Sequence, residues 1–305
     1  MVIEVQRIRR AADRARSHVE RTPLVPVEGA LLKLESLQPT GSFKVRGFFA
    51  AALALPPDQL RRGLITVSAG NAAQACAYVA KTLGVPCRVF MFETAPAPKF
   101  EGVRRWGATP IPMARQALLD WMTNEGWKSE PEAFIHPFAD EEVMAGHGGL
   151  GLELLEDLPD LARVLVPVGG GGLVGGIASA LKGLRPEVEV IGVQSDGYAL
   201  WVRCLEAGGP VAVKPETIAD GTTAPFDARM FGLLKECVDR WLTVPEPRLR
   251  AAIPQLAAAA KVVAEGAGAL AFAALEQLTP GPPTVAVVSG GNIDPKLLAQ
   301  LLSAN

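Results

Sequence analysis

Cysteine is scarce in this chain and spread thin. Its 305 residues hold only Cys76, Cys87, Cys204 and Cys237, widely spaced and without a CxxC pair. Such spacing argues against a disulfide framework or a zinc site, and reads as small buried apolar side chains in a reducing compartment. Charge of one sign is also missing. The net charge is -2, and the basic runs stop at the doublets Arg9-Arg10, Arg61-Arg62 and Arg104-Arg105, so no nucleic-acid partner is expected. No apolar run reaches the ~18 residues of a membrane span. The first residues, MVIEVQRIRRAADRAR, lack the apolar centre of a signal peptide. A soluble, cytoplasmic protein without a membrane partner is the expectation. Fixed-period repeats and low-complexity tracts are absent as well.

What the sequence does have is an ordinary globular composition, 49% apolar and 20% charged, with 31 Gly and 25 Pro dispersed along it. Its length exceeds what one core usually serves, which favours two domains. Val5, Ile8, Ala12, Ala15 and Val19 recur at helical spacing and predict an amphipathic helix over 4–20. Strand-like and helix-like stretches then alternate: 30–34, 64–67, 87–91, 109–111, 164–168, 188–193, 241–244 and 284–288 as strands, with helices between them and a loop-rich stretch at 207–225. This pattern predicts an α/β fold of two open, mostly parallel twisted sheets flanked by helices.

Chemistry concentrates in four turns. The stretch Glu35 to Phe49, ESLQPTGSFKVRGFF, places Lys44 just past a turn in the first turn of a helix, with Ser42 as its expected N-cap. A cation there opposes the helix dipole and costs ~0.3–1 kcal/mol when exposed. Desolvation and that field favour the neutral amine, the form that attacks a carbonyl to make a Schiff base. A solvated surface lysine is the alternative. Gly169-Gly170-Gly171-Gly172-Leu173 joins a strand to a helix and offers backbone N–H groups to a phosphate. Tight packing alone would also account for it. It is no GxxxxGK[ST] loop. A dinucleotide fingerprint lacks its acidic ribose partner, which makes a nicotinamide dehydrogenase a poor fit. SAGN at 68–71 suits a carboxylate or serves as a plain helix cap. SGGN at 289–292 sets the Ser289 hydroxyl at a strand end, able to meet a ring nitrogen without carrying charge.

In this order, Lys44 after Ser42-Phe43, SAGN, GGGGL and SGGN resemble the β-family of pyridoxal 5′-phosphate enzymes, fold type II, with the tryptophan synthase β-like architecture, and within it the serine/threonine dehydratases. The resemblance covers nearly the whole chain. IHPFADEEVMAGHGGLGLELLED at 135–157, PETIADG at 215–221 and AEGAGALAFAAL at 264–275 extend it. It implies a large cofactor-binding domain of residues 1–46 and 137–305, and a small domain of 47–136 carrying the SAGN turn. Lys44 would hold the cofactor as a Schiff base and later take the substrate Cα proton. Phe43 would pack beside the ring, Asn71 would bond its 3-hydroxyl, Gly169 to Leu173 would cradle its phosphate, and Ser289 would face the pyridine nitrogen. Ser68, Ala69, Gly70 and Asn71 would take the substrate carboxylate, with Ala72 and Phe138 near the side-chain pocket. Glu265 would act in proton traffic or serve as a buried structural carboxylate.

The implied reaction is elimination of water from L-threonine, L-serine or both, giving 2-oxobutyrate or pyruvate and ammonia, on a small amino-acid substrate, in a homodimer or homotetramer. Three departures narrow it. Ala69 stands where related serine racemases carry a second serine, so slow racemisation is implied. Gln194 stands where members with a divalent cation have a glutamate, so no metal is expected. Ala72 and His147 replace a histidine and a glutamine common in threonine dehydratases, which leaves serine against threonine open. Because the sequence stops at Asn305, soon after SGGN, no C-terminal regulatory domain is expected. Other readings are a threonine synthase, a β-replacement synthase, an amino-acid racemase or a non-enzymatic amino-acid-binding protein.

Overall fold

The structure, a computed structural model, describes residues 2–303. The described strands are β1 (Leu24–Val27), β2 (Ala30–Leu34), β3 (Leu64–Val67), β4 (Cys87–Phe92), β5 (Thr109–Met113), β6 (Ala133–Phe134), β7 (Arg163–Pro167), β8 (Glu189–Ser195), β9 (Arg240–Val244) and β10 (Thr284–Val288). They form a six-stranded sheet of order β1-β2-β10-β7-β8-β9 and a four-stranded sheet of order β5-β4-β3-β6. Every pairing is parallel except that of β1 with β2. The expected pair of mostly parallel sheets is therefore present.

Burial on both faces explains the strand sequences. Successive side chains of a strand point to opposite faces, so a strand covered on both sides reads as a continuous apolar run. In β10, Val285 and Val287 join the core that holds Ile177 and Leu150, while Ala286 and Val288 join the one that holds Leu249 and Leu270. Helix Glu141–Asp157 shows why glycine is tolerated inside a helix at ~1 kcal/mol each relative to alanine. A Cβ on Gly146 would lie 2.6 Å from the Arg46 carbonyl oxygen, and one on Gly148 3.0 Å from that of Gly176. The helix thus seats directly on Lys44–Ala52 and Gly172–Leu184. Asp140 caps it by accepting from the N–H groups of Glu142 and Val143.

Some local expectations need correction. Ser42 caps nothing: the helix begins at Lys44 with Phe43 at the cap position, and the buried Ser42 hydroxyl has no hydrogen-bond partner among the described residues. Its backbone instead bridges to Gly290, which draws the turn into the large sheet. The first helix runs Val5–Ala15 and tightens to a 3-10 turn at Arg16–His18. Pro56-Pro57 looks like a break, yet helix Pro57–Arg62 starts there, because proline at the first helical position loses no hydrogen bond. Helix Leu200–Ala207, also unanticipated, is started by a long-range cap: Gln194 Oε1 accepts from the N–H groups of Trp201 and Val202.

Candidate active site

Parallel pairing of β2, β10 and β7 places their carboxyl ends on one side, where crevices of open α/β sheets bind ligands. From β2 the chain enters 35–44, from β7 the Gly169–Gly172 turn, and from β10 the turn 289–292. Backbone bonds knit the first and last together. Phe43 N–H donates to the Ser289 carbonyl at 3.1 Å, and Gly291 N–H to the Gly41 carbonyl at 2.9 Å.

Lys44 Nζ donates to the Pro137 carbonyl at 2.6 Å and lies 5.0 Å from the centroid of the Phe43 ring. Loss of water around it pulls its pKa from 10.5 down to about 8. His136, two residues before Phe138, holds the 137–139 segment in place. Its Nδ1 accepts from the N–H groups of Phe138 and Ala139 at 3.3 and 2.9 Å. Desolvation first, and Arg229 next, lower its pKa to about 4, so it stays neutral in that role.

The glycine turn is shaped by this same segment. A Cβ on Gly170 would fall 2.3 Å from the Phe138 ring, and one on Gly172 2.6 Å from the Phe138 carbonyl oxygen. Gly171 has φ +91°, which other residues rarely adopt. Among the described residues no backbone carbonyl accepts from the N–H groups of Gly169, Gly170 or Gly171, and those of Gly172 and Leu173 open the helix Gly172–Leu184. Free N–H groups converging at a helix start suit an anion. With a desolvated lysine amine close to the same segment, the residues fit a phosphate-bearing aldehyde.

From the small sheet, β3 delivers SAGN to the start of helix Asn71–Leu83. The turn is partly self-satisfied: Ser68 N–H donates to the Phe90 carbonyl and Gly70 N–H to Ser68 Oγ. The N–H groups of Ala69, Asn71 and Ala72 have no backbone partner among the described residues, so these three remain open to a carboxylate. Asn71 spans the two sheets. Its Nδ2 donates to Glu265 Oε1 at 2.6 Å, and its Oδ1 accepts from Asn292 Nδ2 at 2.7 Å. Asn292 also donates to the Thr40 carbonyl at 2.8 Å. Glu265 is 6% exposed. Its burial raises its pKa to about 7, opposed by the Asn71 hydrogen bond. Ser289 is buried at the end of β10, with its hydroxyl 3.5 Å from the Ala267 carbonyl.

Lys44, Phe138, the glycine turn, Asn71, Glu265 and Ser289 are thus linked by contacts. Sequence reasoning missed Pro137, His136 and Asn292 as working parts. All three lie within quoted motifs, IHPF and SGGN, and that is the signal from which they could have been found. Behind the lysine, a buried ionic network fixes the segment. Arg46 pairs with Glu35 at 2.7 Å and Glu153 at 2.6 Å, and Lys33 with Glu153 at 2.8 Å.

A family model described as pyridoxal-phosphate dependent enzyme matches residues 15–290. An L-threonine ammonia-lyase of Thermotoga maritima is 41% identical over 283 residues, 89% of this chain and 69% of the relative. Among solved structures, a T.th. threonine deaminase superposes with a TM-score of 0.88 at 37% identity, covering 95% of this chain and 99% of the other. A maize serine racemase superposes with a TM-score of 0.91 at 28% identity, covering 100% and 98%.

Proposed function

The chain belongs to the pyridoxal-phosphate-dependent enzyme family, and from that premise we propose that it is an ammonia-lyase converting L-threonine, L-serine or both to the 2-oxo acid and ammonia. The observation that carries this reading is the desolvated Lys44 amine set against the segment that also shapes an anion-binding glycine turn. When bound, pyridoxal phosphate supplies an electron sink that makes the Cα–H of an attached amino acid acidic. The chain's own groups do the rest.

With its pKa near 8, Lys44 is neutral in about a tenth of molecules at pH 7, some three-hundredfold more than an ordinary lysine. That neutral Nζ is both the attachment point and the base for the Cα proton. Once charged, it can return the proton to the departing β-hydroxyl. Gly169 to Leu173 hold the phosphate through backbone N–H groups. Ala69, Asn71 and Ala72 offer theirs to the substrate carboxylate. Asn71 would meet the ring hydroxyl, Phe43 would flank the ring, and Ser289 would give the ring nitrogen an uncharged partner. Phe138, packed against Gly170 and His136, would wall the substrate side-chain pocket. Glu265, near half-protonated at pH 7, stores a proton at the crossing between the sheets.

Ala69 has no hydroxyl with which to protonate the opposite face, which favours elimination over the racemase reading. Residues 1–46 and 137–305 form the cofactor-binding domain in this reading, and 47–136 the small one. A cytoplasmic homodimer or homotetramer without a nucleic-acid partner belongs to the same proposal. No described helix is long and apolar enough to cross a membrane.

The test is an absorbance titration with pyridoxal phosphate, then addition of L-serine, L-threonine and their D-forms with detection of 2-oxo acid. A visible band and 2-oxo acid from an L-substrate are expected, and Lys44→Ala should fold yet give neither. No band with Lys44 intact would refute the site. A band without 2-oxo acid would shift the activity to a synthase or racemase.

A further inference from the structure

An anion cradle made of glycine works only if its peptide planes are held, and glycine has no side chain to hold them. Two fully buried side chains behind the turn do so. Trp201 donates its indole N–H to the Gly169 carbonyl oxygen at 2.5 Å, and Gln194 donates Nε2–H to the Val168 carbonyl oxygen at 3.1 Å. A trans peptide is planar, and its N–H points opposite to its C=O. Holding the Val168 oxygen therefore directs the Gly169 N–H, and holding the Gly169 oxygen directs that of Gly170, both away from the two donors. Gln194 also places its partner: its Oε1 accepts from the N–H groups of Trp201 at 2.9 Å and Val202 at 3.3 Å. The indole also packs against Phe226, with ring centroids 5.6 Å apart.

We infer that Gln194 and Trp201 are positioning residues that orient the first two N–H donors of the phosphate cradle through the carbonyls behind them. The inference rests on the reading of 169–173 as that cradle. Neither residue touches the phosphate. Their contribution is to spare the glycine turn the reorganisation of its peptide planes when the anion arrives.

The clamp predicts an effect confined to the phosphate. Cofactor-free protein is titrated with pyridoxal 5′-phosphate and, separately, with pyridoxal, which lacks the phosphate, by equilibrium dialysis and the visible band. Trp201→Phe keeps an aromatic ring but has no N–H donor. Its affinity for pyridoxal phosphate should fall about tenfold, the ratio that ~1.4 kcal/mol carries, while that for pyridoxal stays the same. Gln194→Met, of similar size and without the amide, should show the same selective loss, and serves alone should Trp201→Phe not fold. Equal loss for both ligands, or no loss for either, overturns the clamp. So does failure of both variants to fold, which would make the pair a folding element. Wild-type protein that binds pyridoxal as tightly as pyridoxal phosphate would remove the cradle reading itself. A wild-type preference kept by both variants removes only the clamp.

Discussion

Glu265→Gln tests the electrostatics of the crossing between the sheets. The wild-type carboxyl is 6% exposed and titrates near 7 in the folded chain, against 4.5 when solvated. The folded state therefore holds a proton between those values that the unfolded chain has released. Stability associated with this group is greatest below pH 4.5, is lost as pH rises toward 7, and above 7 the buried charge costs on the order of 3 kcal/mol. Glutamine carries no charge, and its Oε1 can still accept from Asn71. Urea unfolding of cofactor-free wild type and variant, measured side by side from pH 4.5 to 8.5, isolates the difference. The two should coincide near pH 4.5, and the variant should gain ~2–3 kcal/mol by pH 8. A stability difference that stays flat across this range would refute the reasoning, because it would mean that Glu265 does not titrate there.

Two further outcomes test neighbouring groups. Reconstitution of cofactor-free protein, followed by growth of the visible band, should quicken about tenfold per pH unit below pH 8 and level off above it, as Lys44 loses its proton; a rate still climbing steeply at pH 10 would contradict a desolvated amine. Arg46→Met should lower stability by ~3–5 kcal/mol in thermal or urea unfolding, because it leaves the buried Glu35 without its cation. A change below ~1 kcal/mol would contradict a stabilising role for the buried Arg46–Glu35 pair.

Much of the scaffold was legible because the central strands β3, β4, β7, β8 and β10 are apolar runs bounded by turn residues, and covered parallel strands produce that pattern locally. The edge strands β1 and β6, half-exposed or only two residues long, were not anticipated. The turns at 68–71, 169–172 and 289–292 were legible for a similar reason, since glycine and asparagine at strand ends carry their conformational meaning in the sequence. Ser42 misled. Serine before a helical run is normally a cap, and only the bridge to Gly290, far along the chain, explains why this one is not. His136 and Asn292 went unassigned because their roles are hydrogen bonds to backbone and to partners supplied by other segments.

The sequence by itself determined the element types, the order of the turns and the presence of one lysine at a helix start. Tertiary structure decided which of these meet. Parallel pairing brings together strands that are far apart in the chain, so the decisive contacts are long-range: Asn71 with Glu265 across 194 positions, Lys44 with Pro137 across 93, and Trp201 with Gly169 across 32. It also decided the chemistry of the lysine. Helical position alone lowers a pKa slightly, whereas burial of the amine, which donates to the Pro137 carbonyl, removes water that would keep Lys44 charged.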